Sequence, residues 1–144
     1  MKAYKHSQLG YEVIIILLLG LVATILVVYI NGMNAVNFLI IIALLLVLLV
    51  FSRLHIIITE NKVVTYFNLK LFKKTILYED IQGVKIVNIP FYYGWGIRFF
   101  LKGKMYKVSG KKAIKFDYKN GKFFMIGTDN SLVMLREILH FLKK

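Results

Sequence analysis

The chain has no cysteine. Disulfides, thiolate metal sites and a cysteine nucleophile are therefore excluded. Its three histidines, His6, His55 and His140, are far apart, and no two have metal-ligand spacing. Acidic residues number only seven, and Glu79-Asp80 is the one adjacent pair, read as a solvated turn. There is a single proline, Pro90. The largest absence is regional. Residues 13–52 contain no Asp, Glu, Lys, Arg or His. A segment with no polar face is not the core of a small soluble domain, because the remaining residues could not cover it.

What is present follows from that gap. Of the 20 basic and seven acidic residues, 18 and six lie from Arg53 onward. Lysine outnumbers arginine 17 to three, and the formal charge is +13. Residues 1–10 read as a short tail carrying Lys2 and Lys5. Residues 11–30 and 36–52 are two apolar runs of 20 and 17 residues. As helices they fall within the bilayer-spanning range. Asn31-Gly32-Met33-Asn34-Ala35 between them has turn chemistry. A cleaved leader is disfavoured, since no small-x-small site follows the first run and a second run does. The expectation is a transmembrane hairpin. Basic residues flank it on one side only, which places both termini in the cytoplasm. Glu12 stands in the first turn of the first helix, where a negative charge suits the helix dipole.

From residue 53 the pattern changes to short alternating segments. Candidate strands are 54–59, 62–69, 73–78, 81–88, 97–101 and 104–108, the last two around a Lys102-Gly103 turn. Asn120-Gly121 suits a two-residue hairpin turn. That turn places Tyr118 opposite Phe123 and Phe116 opposite Met125. The chain closes with an amphipathic helix that Asp129 or Asn130 can cap. Leu132, Leu135, Ile138, Leu139 and Leu142 form its apolar stripe.

Nucleotide motifs fail on spacing. Ser109-Gly110-Lys111-Lys112 lacks the hydroxyl that a phosphate loop needs where Lys112 stands, and six residues separate Gly103 from Gly110 where the motif has four. Gly94-x-Gly96 alone does not make a dinucleotide site. The reading is therefore non-enzymatic, with no cofactor and no metal. Nucleic acid is not favoured, because the aromatics do not form a single-strand-binding pattern.

Two features carry the site expectations. One is a lysine-rich surface: Lys70, Lys73, Lys74, Lys102, Lys104, Lys107, Lys111, Lys112, Lys115, Lys119 and Lys122. It is either general solvation with the topology bias, or a surface for anionic headgroups or an acidic partner. The other is Phe91-Tyr92-Tyr93-Gly94-Trp95, either an interfacial or partner-binding ridge or a plug folded inward. The candidate binding residues are Tyr92, Tyr93, Trp95, Arg98, Lys102, Lys104, Lys111 and Lys112.

A resemblance adds to this reading. Gly94-Trp95-Gly96-Ile97-Arg98, Tyr106-Lys107-Val108-Ser109-Gly110, Ala113-Ile114, Asn120-Gly121-Lys122 and Ile126-Gly127-Thr128-Asp129 follow in order over residues 53–144. The set resembles small bacterial membrane proteins that carry a pleckstrin-homology-like domain. The resemblance implies an α+β membrane protein of the bacterial cell membrane. Its cytoplasmic part would be an antiparallel β-barrel of about seven strands capped by the C-terminal helix. It implies no established activity. Such a protein would bind membrane lipids, anionic headgroups or a membrane-protein partner. An alternative role is protection against membrane-active peptides. Eukaryotic relatives of the fold bind phosphoinositides or peptides, but Glu60-Asn61 is too short and too acidic to match their basic phosphoinositide loop.

Overall fold

A computed structural model describes residues 3–143. The expected N-terminal tail is a strand. β1 (Tyr4–Leu9) pairs antiparallel with β2 (Arg53–Ile58), from Leu9 opposite Arg53 to Tyr4 opposite Ile58. Between them run α1 (Tyr11–Asn31) and α2 (Ala35–Phe51). The helical pair is thus the connection of a β-hairpin, and the Gly10 amide closes its base on the Ser52 carbonyl at 2.8 Å. A Cβ at Gly10 would lie 2.9 Å from Val108 Cβ, so only glycine lets the chain enter α1 there.

α1 is the one described helix long and apolar enough to cross a membrane, while α2, at 17 residues, is shorter. The Asn34 side chain caps α2 by accepting from the Asn37 amide at 2.9 Å. Apolar side chains on the outer faces of both helices lie open, among them Leu19, Ile25 and Leu26 on α1 and Leu39, Leu45 and Leu46 on α2.

The rest of the chain forms β3 (Lys62–Phe67), β4 (Lys74–Leu77), β5 (Ile81–Asn88), β6 (Gly96–Phe100), β7 (Gly103–Lys107), β8 (Lys112–Tyr118), β9 (Phe123–Thr128) and α3 (Ser131–Leu142). The barrel does not close. One sheet has the order β1-β2-β3-β4, the other β5-β8-β9-β7-β6. After β4 the chain turns at Tyr78–Asp80 and β5 pairs with β8, so β4 and β5 are not bonded to each other. Nor is every pairing antiparallel, because β7 runs parallel to β9. The core between the layers takes Leu54, Ile56 and Phe67 from the first sheet and Phe116, Phe124 and Ile126 from the second. Burying each such side chain contributes about 1.5–3 kcal/mol.

Three local expectations are corrected. Tyr118 pairs with Lys122 (amide to carbonyl 2.9 Å) and Phe116 with Phe124, one residue away from the expected register. The Gly121 amide bonds the Tyr118 carbonyl, and Gly121 has φ +79. This is a three-residue loop with a left-handed residue at its end, not a two-residue turn. In the next case, Phe100 lies opposite Gly103, which puts Leu101 and Lys102 at the tip. Gly103 is a strand residue, and a Cβ there would strike the Phe123 carbonyl. In α3 the buried side is Met134, Ile138 and Phe141, whereas Leu132, Leu139 and Leu142 are exposed. The helix is apolar around most of its girth, so periodicity alone did not select the core face. Of the two expected caps, Asn130 holds the N-cap position, its carbonyl accepting from the Met134 amide at 3.2 Å. The Asn130 side chain makes no cap bond, and Asp129 instead meets His6 Nε2 at 2.9 Å.

Candidate functional site

The strands run between two ends of the domain, one beside the hairpin and one far from it. At the hairpin end, Glu12 reaches from α1 to Trp95 just before β6, and its carboxylate accepts from the indole Nε1–H. The Lys107 ammonium lies 5.6 Å from the centre of the same indole ring. Lys107, counted above among surface lysines, is only 3% exposed. Burial pulls its pKa below the ordinary lysine value, and the Glu12 carboxylate partly opposes that. Its stem lies along β9 because residue 127 is glycine, where a Cβ would come 2.7 Å from Lys107 Cγ. Glu12, Trp95 and Lys107 line a cleft of about 500 Å³ together with Lys111, Lys112 and Phe91. The arrangement joins α1 to β6 and β7 through charge, an aromatic face and a hydrogen bond.

Beside this junction, the loop after β3 is fastened to α2. Asn68 Nδ2–H donates to the Leu49 carbonyl at 2.9 Å, meeting one of the carbonyls that a helix end leaves unpaired. The Phe72 ring stacks on Phe51 at 6.1 Å. Leu69, Lys70 and Phe72 have φ of 60, 58 and 52. Left-handed backbone costs a non-glycine residue about 1–2 kcal/mol. The strained loop nonetheless leaves Leu69, Leu71 and Phe72 exposed, with Lys70 and Lys73 beside them. At the same end, Phe91 and Tyr92 are 86% and 72% exposed.

The far end holds a larger cleft of about 700 Å³. It lies between the edge strand β4, the β6–β7 hairpin and the β8–β9 loop. Lys74, Lys102, Lys104, Lys119 and Lys122 line it, and Asp80 is its only acid. Its floor is aromatic. Lys74 Nζ sits 5.9 Å from the Phe124 ring centre, and Lys104 Nζ 5.0 Å from that of Phe99.

The expected binding residues therefore do not form one surface. Tyr92, Lys111 and Lys112 lie at the hairpin end. Tyr93 folds inward against Phe100 at 5.1 Å, and Trp95 turns inward to Glu12. Arg98 is exposed on β6, its guanidinium lying against Gly94. Lys102 and Lys104 belong to the far cleft. The aromatic segment thus splits, with Phe91 and Tyr92 outward and Tyr93 and Trp95 inward. Lys115 departs from the expected free surface, since it pairs with Asp117 at 3.0 Å. Glu12 is the residue that sequence reasoning undervalued. It is the only charge between Lys5 and Arg53. That isolation was its signal, but the dipole of its own helix accounted for it equally well.

Among the described residues no group of three or more His, Asp or Glu side chains is placed to hold a metal ion. Comparison of the sequence with protein-family models and with curated proteins finds no match.

Proposed function

We propose that the protein is a membrane-anchored, non-enzymatic binding module, seated on the anionic cytoplasmic face of a bacterial cell membrane and offering its outer end to a partner. The observation that carries this reading is the bond from Asn68 to Leu49. It ties the exposed Leu69–Phe72 loop to the last turn of α2. Where α2 leaves hydrocarbon, that loop lies at the same depth. Leu69, Phe72, Phe91 and Tyr92 then enter the interfacial layer, where aromatic and aliphatic side chains are favoured. Arg53, Lys70, Lys73, Lys111 and Lys112 lie level with headgroups, each adding about 1 kcal/mol of attraction to an anionic leaflet.

In this reading both helices span. α2 is about 26 Å long at helical rise, close to a hydrocarbon core of about 30 Å. The exposed apolar faces of α1 and α2 support this, because water would leave them unsatisfied. The uncharged Gly32–Asn34 connection supports a cytoplasmic placement of the domain and both termini. Kinship with pleckstrin-homology-like domains rests on paired sheets followed by an amphipathic C-terminal helix.

The absence of native cysteine makes a direct test simple. Single cysteines at Phe72, Tyr92 and Lys119 would carry an environment-sensitive fluorophore, with the full chain in bilayers containing brominated lipid. Quenching at 72 and 92 but not at 119 is expected. Equal, water-like emission at all three positions rejects the seat. A reporter fused after Lys144 tests the orientation, and activity specific to the outer side of the membrane would reverse it.

A further inference from the structure

The far cleft has a chemistry that a seat on the bilayer does not use. We propose that it binds an extended acidic segment of a partner protein, presented from the aqueous side. Five lysines converge there against Asp80 alone. None of the five is ion-paired among the described residues, whereas Lys85 and Lys115 share Asp117 on the same sheet. Scattered exposed lysines need no ligand. Five lining one concavity raise its potential and draw in anions.

Several observations favour an extended peptide over a compact anion. Lysine offers a mobile point charge, suited to carboxylates spread along a chain and less suited to forked recognition of a single phosphate. β4 and β6 are each the outermost strand of their sheets, and residues of both line the cleft. An edge strand carries unpaired amides and carbonyls. A segment laid along such an edge gains main-chain hydrogen bonds, while its alternate side chains face the wall. The apolar floor of Phe100, Tyr106 and Phe124 suits apolar residues set between the acids. Headgroups of the protein's own bilayer are not the source. β8 runs from Lys112 beside the Glu12 cleft to Tyr118 in the far one, a rise of about 20 Å for a strand of that length.

The test uses the full chain in nanodiscs of neutral phosphatidylcholine, so that an anionic seat plays no part. The probe is a fluorescein-labelled peptide in which Glu alternates with Val and Phe, read by anisotropy. K102E/K104E should weaken its binding by about tenfold or more, and K102Q/K104Q by less. K5E/K143E makes the same change of net charge away from the cleft and should leave affinity within about twofold. Far-UV circular dichroism and the thermal midpoint of each variant should match the parent, since all these lysines are exposed. Equal weakening by K5E/K143E would reduce the effect to bulk charge and overturn the proposal. So would absence of binding by the parent chain. Tighter binding of tripolyphosphate or of a single-stranded oligonucleotide at Lys102 and Lys104 would replace the acidic peptide with a phosphate ligand.

Discussion

The two ends of the domain use charge in opposite ways. Beside the hairpin, Glu12, Trp95 and Lys107 are turned inward on one another, and His6 meets Asp129 across the gap between β1 and the start of α3. At the far end the lysines of the cleft are not ion-paired among the described residues. A charge held by partners in a half-buried place fixes geometry, and its removal leaves another group stranded. A solvated lysine fixes nothing, so the fold can spare it for a ligand. One end therefore reads as joinery and the other as a surface for exchange with solvent.

The difference can be broken first at the aromatic joint. Phe67 is fully buried and touches Phe51 at 4.8 Å, so it links the hairpin to the core. Phe67→Ala should destabilise the protein by about 3–5 kcal/mol, read by thermal unfolding in detergent. Gln8 comes next. Its Nε2–H donates to the Gly127 carbonyl at 2.5 Å, and its Oε1 accepts from the Asp129 amide at 3.2 Å. Gln8→Ala strands both groups and should cost about 1–3 kcal/mol. A similar loss of about 1–3 kcal/mol is expected for Glu12→Ala, which leaves the indole N–H without its acceptor and removes the nearby negative charge that favours the Lys107 ammonium. Trp95 is the sole tryptophan, so its emission reports that junction directly. An unchanged emission spectrum in Glu12→Ala would break the picture of a charged joint. At the far end, Lys119→Glu with Lys122→Glu should stay within about 0.5 kcal/mol of the parent. A larger loss there would erase the contrast.

The smallest effect concerns pH. Burial, and then the Arg53 charge, hold His55 below its ordinary pKa. Below about pH 6.5 the unfolded chain binds more protons at this residue than the folded one does. Stability is therefore complete above that pH and declines as pH falls toward the folded pKa. His55→Gln should flatten this part of the profile, and an equally steep decline in the variant would show that other groups cause it.

The legible part of the fold follows binary pattern. Strands from Arg53 onward declare themselves because Leu54, Ile56 and Ile58 alternate with half-buried neighbours. β1 does not, because the deepest side chain on its inner face is Gln8, a polar residue satisfied only by β9 and the loop beyond it. Its partner strand is also separated from it by the whole helical hairpin. Lysines could be counted but not sorted. Lys107 and Lys102 look alike in a basic sequence, yet one is 3% exposed beneath an indole and the other lines an open cleft.

By itself, the sequence determined the division at Ser52 and Arg53, the apolar helices before it and the strand-rich domain after it. Those depend on the solvent each segment prefers, which composition records locally. Tertiary structure alone decided that β1 joins the domain, that the sheets stay open, that Trp95 turns toward Glu12, and that five lysines line one cleft. Each of these depends on which distant segments pack together, and no local pattern of residues encodes that distance.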